Sequence, residues 1–263
     1  LPNVYATNSG PIVAKGLLIQ GGGTCTVYEE TKCSISAYDA ATGTAFFTND
    51  NVAMRDLLAV DVKTGATRML LENSRIGDLA FNPVDRSLWG VEYRDGLAYL
   101  VRIPYPYNDW FRIHAFPYEN VPYDLDISPD GKLLSASMSE ANADQFLRVW
   151  EIDRILAGDV KPASEFRFGQ SVPESFVFSK DGRYLYGSSY YTGASNIFRY
   201  EVATGEVEAV SNAETGFFRP MPLADGRLVG DVQGRCPRFA LPPGVWELGI
   251  ELWDAADRGR GIG

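Results

Sequence analysis

Two observations predict an all-β fold, a β-propeller of four-stranded antiparallel blades: one turn-centred phrase recurs along most of the chain, and its copies fall roughly 44 to 51 residues apart. Composition agrees, since 26 glycines and 15 prolines in 263 residues suit many short turns better than long helices. A ring of about six blades is expected, and five repeats are legible. The whole chain, 1–263, reads as a single propeller domain, with clear repeats over 35–230 and an irregular C-terminal segment over 231–263.

Each repeat opens with an inner hairpin. The copies are "ISAYDAATGTAFFTN" from Ile35, "LAFNPVDRSLWGV" from Leu79, "LDISPDGKLLSAS" from Leu125, "FVFSKDGRYLYGS" from Phe176 and "MPLADGRLVG" from Met221. In each, an alternating apolar run enters a tight turn and a second apolar run leaves it, the pattern of a hairpin. Asp-Gly is expected to make the turn because both residues tolerate positive φ.

A second hairpin completes each repeat: "DLLAVDVKTGATRML" from Asp56, "AYLVRIPYPYNDWFRIHAF" from Ala98, "FLRVWEIDRILAGDVKPASEFRF" from Phe146 and "NIFRYEVATGEVEAVS" from Asn196. Two copies share the turn chemistry "KTG" and "ATG", whereas "DRILAG" lengthens the third and has room for one helical turn. A lone four-stranded sheet cannot cover both of its faces, so the blades must stack around an axis. The large strand residues Trp89, Tyr99, Trp110, Phe146, Trp150, Phe178, Tyr184, Phe198 and Tyr200 are then expected as packing between blades.

After Leu228 the alternation breaks down into "VGDVQGRCPRFALPPGVWELGIELWDAADRGRGIG". Two readings follow. Either "VWELGIELW" pairs with the N-terminal "PIVAKGLLIQ" to close the ring, or the chain is a truncated or altered form of a longer protein.

The blocks "SPDGK", "SKDGR" and "LADGR", followed by an apolar strand and then a "Y-x-V-x-T-G" hairpin that is clear after "SKDGR", resemble the WD40-like, TolB-like β-propellers (PD40 repeats) of bacterial cell envelopes. The likeness spans about Ile35 to Gly230 and rests on repetition rather than on one motif. It implies a rigid disc that binds a protein or peptide, in the periplasm or outside the cell. The block "FRYEVATGEVEAVSNAETGFFRPMPLADGRL" looks most like envelope proteins in which a propeller precedes another domain.

A net charge of −10 with a single histidine excludes a phosphate-backbone partner, which needs clustered Lys and Arg. No apolar run reaches the length that spans a bilayer, and a monomer without a transmembrane segment is expected. Cys25 and Cys33 bracket "CTVYEETKC" and are either a small disulfide or two free thiols, while Cys236 has no evident mate. Three scattered cysteines and one histidine lack the paired spacing of structural zinc.

The stretch "DLDISPDG" from Asp124 fails as a calcium loop of the EF-hand type: Pro129 stands where the glycine belongs and Ser135 where the bidentate glutamate belongs. Aligning the inner hairpins on their turns instead places Asp78, Asp124, Ser175 and Arg219 in one column, with Glu174 beside it. Three uses stay open for that column: a salt-bridged polar ring, a peptide anchor, or a Ca²⁺ site held by Asp78 and Asp124. The first two belong to a non-catalytic binding module. The third would permit a metal-dependent hydrolase, a lactonase or esterase, in which the cation polarises a carbonyl and activates water.

Serine-hydrolase chemistry is disfavoured. His114, the only imidazole, sits in the outer-strand pattern "WFRIHAF", and neither G-x-S-x-G nor H-E-x-x-H occurs. Gly21 to Gly23 lack the following Lys and Ser or Thr of a phosphate loop and read as a flexible loop or a strand bend.

Overall fold

A computed structural model describes residues 42–50, 54–61, 63–212 and 216–222, together with strands at 12–14, 17–19, 35–39, 228–229, 232–235 and 247–250. Four sheets of four antiparallel strands follow one another in sequence order. The first is Ile35–Asp39, Thr44–Asp50, Arg55–Asp61 and Thr67–Leu71, and the second is Ile76–Phe81, Leu88–Arg94, Leu97–Ile103 and Phe111–Ala115. The third is Val121–Ile127, Leu133–Ser139, Gln145–Glu151 and Ser164–Gly169, and the fourth is Pro173–Phe178, Tyr184–Ser189, Asn196–Glu201 and Val207–Ala209. Each is a blade, and the leading strands of successive blades lie against one another, which makes them the innermost. The fifth inner hairpin is Met221–Pro222 paired with Leu228–Val229.

The described strands at the two ends pair locally, unlike the first of the two readings, in which the ends pair with each other. Ile12–Ala14 pairs with Leu17–Ile19, and Val232–Arg235 pairs with Glu247–Ile250, so each end makes its own hairpin among the described residues. A short local connection costs less loop-closure entropy than joining two chain ends. Cys25, Cys33, Cys236 and the triple glycine lie outside the described residues.

Apolar side chains gather in the seams between blades, as stacking requires. Phe46, Leu57 and Leu71 of the first blade meet Ile76, Leu88, Val101 and Ile103 of the second. Trp89, Val91 and Leu100 of the second meet Leu125, Leu134, Met138 and Trp150 of the third. Leu147, Val149 and Phe168 of the third meet Phe176, Leu185, Phe198 and Tyr200 of the fourth. Tyr99, Trp110, Phe146 and Phe178 also belong to these cores. Tyr184 does not: it is half-buried, with the guanidinium carbons of Arg183 and Arg199 4.9 and 4.6 Å from its ring centre.

The inner turns form by a mechanism different from the expected one. Only the glycine takes positive φ, 71° at Gly131 and 69° at Gly182. The aspartate acts as an acceptor: Ser128 Oγ donates to Asp130 Oδ1 at 2.6 Å, and Ser179 Oγ donates to Asp181 Oδ1 at 2.6 Å. The same hydroxyls accept the N–H of Leu133 at 2.9 Å and Tyr184 at 3.0 Å across the turn. The expected double positive φ occurs instead at Asp95-Gly96 (54° and 79°), the two-residue connection between Leu88–Arg94 and Leu97–Ile103. The lengthened third blade contains the anticipated helical turn at Ile152–Leu156, which buries Ile152 and Ile155.

Candidate functional site

Every inner strand of the four blades is interrupted by a β-bulge, between Ile35 and Ala37, Gly77 and Ala80, Tyr123 and Asp126, and Glu174 and Val177. A bulge admits an extra residue and turns the strand locally. Asp78, Asp124, Ser175 and Arg219 share one backbone state, with φ of 49°, 49°, 52° and 48°. Positive φ at non-glycine residues costs energy, so its repetition marks a position the fold depends on.

The strand opposite supplies a small residue at the bulge: Gly90, Ala136 and Gly187 in the second, third and fourth blades. At Gly187 the need is steric, because a Cβ there would lie 2.2 Å from the Phe176 ring. At Gly90 a Cβ would meet Ile76 at 2.7 Å and the Gly77 carbonyl at 2.9 Å.

The column residues are linked across the seams. Asp124 N–H donates to Asp78 Oδ1 at 3.3 Å, and Ser175 N–H donates to Asp124 Oδ2 at 2.8 Å. Ser175 has no carboxylate to continue the series, and Arg219 N–H donates instead to Ser188 Oγ at 3.3 Å. Tyr93, which the sequence does not single out, donates its hydroxyl to Asp78 Oδ2 at 3.2 Å and lies 3.0 Å from the Pro122 carbonyl. A second carboxylate crosses the seam below the column: Phe178 N–H donates to Asp126 Oδ2 at 2.7 Å.

These carboxyls are withdrawn from water. Desolvation raises Asp124 from 3.8 to about 6, with neighbouring Asp78 and Glu174 pushing the same way and the Ser175 N–H and Arg219 opposing. Desolvation likewise raises Asp126 to about 6 against the N–H bonds of Phe178 and Ile127. Asp78 is raised by burial and held back by the Asp124 N–H, the Tyr93 hydroxyl and Arg55. Arg55 reaches this point because Gly77 leaves room, a Cβ there falling 2.5 Å from an Arg55 guanidinium nitrogen.

The five residues singled out in the sequence therefore converge on one end of the disc, where the inner strands begin. Three of the four oxygens of Asp78 and Asp124 accept hydrogen bonds within the protein. Among the described residues, no three His, Cys, Asp or Glu side chains group as a metal would need. The engaged oxygens make Asp78 and Asp124 links between neighbouring blades. Glu174 is half-buried beside Asp124 and Tyr123.

Aromatic side chains rise around the same end. Tyr118, Tyr190 and Tyr191 are 65%, 54% and 48% exposed. Phe218, next to Arg219, has its ring 6.0 Å from Tyr190. Ser195 holds that loop to the linker before the fifth hairpin, accepting the Phe217 N–H at 2.9 Å and donating its hydroxyl to the Phe217 carbonyl at 2.8 Å. His114 lies on the outer strand of the second blade, stacked edgewise on Phe116 at 4.8 Å, its basicity lowered by burial.

No family model matches the sequence, and no curated protein matches it. Among solved structures, TolB from Acinetobacter baumannii aligns with a TM-score of 0.58 at 16% identity, covering 83% of this chain and 52% of that one. The chain thus spans about half the length of that relative. A putative TolB from Agrobacterium tumefaciens gives 0.60 at 17% identity, covering 78% of this chain and 72% of that one. An oligogalacturonate lyase in complex with manganese gives 0.57 at 12% identity, covering 77% and 61%. At these identities the likeness is one of fold. The fold is a TolB-like β-propeller.

Proposed function

We propose that this TolB-like propeller, the whole chain read as one domain, is a non-catalytic binding module. It takes a protein or peptide at the end of the disc where the inner strands begin. The observation that carries this reading is the pairing of two features at that end. The buried carboxylates of the column serve as hydrogen-bond acceptors between blades, while Tyr118, Tyr190 and Tyr191 stand exposed around them. Exposed aromatics around a polar centre suit protein recognition, since they offer large contact area with few rotamers to freeze. Glu174 and Arg219 are the charged groups proposed to orient the bound segment. The sequence resemblance to envelope propellers supports a periplasmic or secreted setting, and no described helix is long and apolar enough to cross a membrane.

A metal-dependent hydrolase would draw its cation ligands from Asp78 and Asp124, whose oxygens are largely engaged elsewhere. The test is selection of random displayed peptides on the purified chain. Selected peptides should lose binding with Glu174→Ala or Tyr190→Ala and keep it with Lys132→Ala, which lies at the opposite, turn end. Equal binding by all three variants contradicts the assignment. Turnover of an ester or lactone panel that depends on added Ca²⁺ would replace it with the hydrolase reading.

A further inference from the structure

The bulge-position N–H of the third and fourth blades meets the column aspartate of the blade before, whereas that of Arg219, ahead of the fifth hairpin, meets a serine hydroxyl. The strand opposite each bulge places Val91, Ser137 and Ser188 one residue after Gly90, Ala136 and Gly187. In the fourth blade the column residue is Ser175, and Ser188 Oγ accepts the Arg219 N–H. In the second blade Val91 has no hydroxyl, and Asp78 accepts the Asp124 N–H. The third blade has both groups. Asp124 accepts the Ser175 N–H, and the Ser137 hydroxyl, on a fully buried residue, has no hydrogen-bond partner among the described residues. A buried hydroxyl without a partner is costly and calls for an explanation.

We propose that Ser137 is the stand-in acceptor for the Ser175 N–H, so that the Asp124 carboxylate can leave the seam and turn toward the open end while the seam stays bonded. Ser137 holds the position from which Ser188 makes the same bond one blade later, and strand alternation points the two side chains to the same face. Asp78 has no such substitute, because Val91 occupies the matching place. Asp124 is therefore the releasable carboxylate of the column and Asp78 the fixed one. The inference stands apart from the binding reading, since it concerns a hydrogen bond within the chain.

Amide hydrogen exchange at Ser175 tests it, in the unaltered chain and in Asp124→Ala, Ser137→Ala and the double variant. In Asp124→Ala, Ser175 should keep its protection to within about tenfold, because Ser137 takes the bond. Ser137→Ala alone should leave protection and melting temperature unchanged or slightly raised. The same substitution made on Asp124→Ala should remove the protection and lower the melting temperature by about 2–4 °C more than the two single effects summed. Loss of Ser175 protection in Asp124→Ala alone overturns the proposal, as does an additive double variant. Should the double variant fail to fold, the Asp124→Ala result alone decides.

Discussion

The seam between the second and third blades and the seam between the third and fourth use the same bulge geometry with different chemistry. In the former, Asp78 is, among the described residues, the one carboxylate that accepts a backbone N–H across the seam, the Tyr93 hydroxyl supports it, and two tryptophans fill the core below. In the latter, two carboxylates, Asp124 and Asp126, accept backbone N–H groups across the seam above a cluster of phenylalanines. The difference teaches that a repeated backbone feature need not repeat its side-chain solution. It also makes the second of these seams the more sensitive to proton concentration.

The largest effects should not distinguish the seams. Trp89→Ala and Phe176→Ala each open a cavity in a buried core and should cost about 3–5 kcal/mol in urea denaturation. A much smaller loss at one of them would mean that its seam is not a packed core.

The pH response should distinguish them. Asp124 and Asp126 have folded values of about 6 against 3.8. The folded state therefore holds more protons than the unfolded state between these values. Their contribution to stability falls as pH rises from about 4 to about 6 and stays low above it. Asp126→Asn keeps an oxygen for the Phe178 N–H and removes the ionisation. The stability of this variant relative to the unaltered chain should rise across that window, by on the order of 2–3 kcal/mol. A difference that is flat with pH would show that Asp126 is not a withdrawn carboxyl.

The smallest effect is a single hydroxyl. Tyr93→Phe removes the donor to Asp78 and should cost about 0.5–1.5 kcal/mol in thermal unfolding. It should leave the pH behaviour of Asp126 unchanged. A shifted Asp126 response in this variant would mean that the two seams act as one unit.

Much of this arrangement is legible in the sequence because its signals are local. Turn residues and apolar alternation give the hairpins, and counting back from the turns brings Asp78, Asp124, Ser175 and Arg219 to one level. What is not legible depends on pairing between strands. A bulge has no composition of its own, although Gly90, Ala136 and Gly187 at matching places are a trace of it. Asp126 alternates with apolar neighbours and is expected to cap or flank a neighbouring strand, but the sequence does not say that its partner across the seam is the Phe178 N–H of the fourth blade. Tyr93 and Arg55 reach the column from strands of different rank, so no spacing rule leads to them. Tyr184 misleads because an aromatic on a strand can be covered by arginines as well as by a neighbouring blade.

The central claim is that buried carboxylates of the inner strands latch one blade to the next, and the amide proton shifts of Ser175 and Phe178 followed from pH 4 to 8 test it most directly. Both amides donate to carboxylates raised to about 6, so both shifts should titrate with midpoints near that value. Shifts that stay constant over this range, or midpoints near 3.8, the ordinary value for such a carboxyl, would contradict the account.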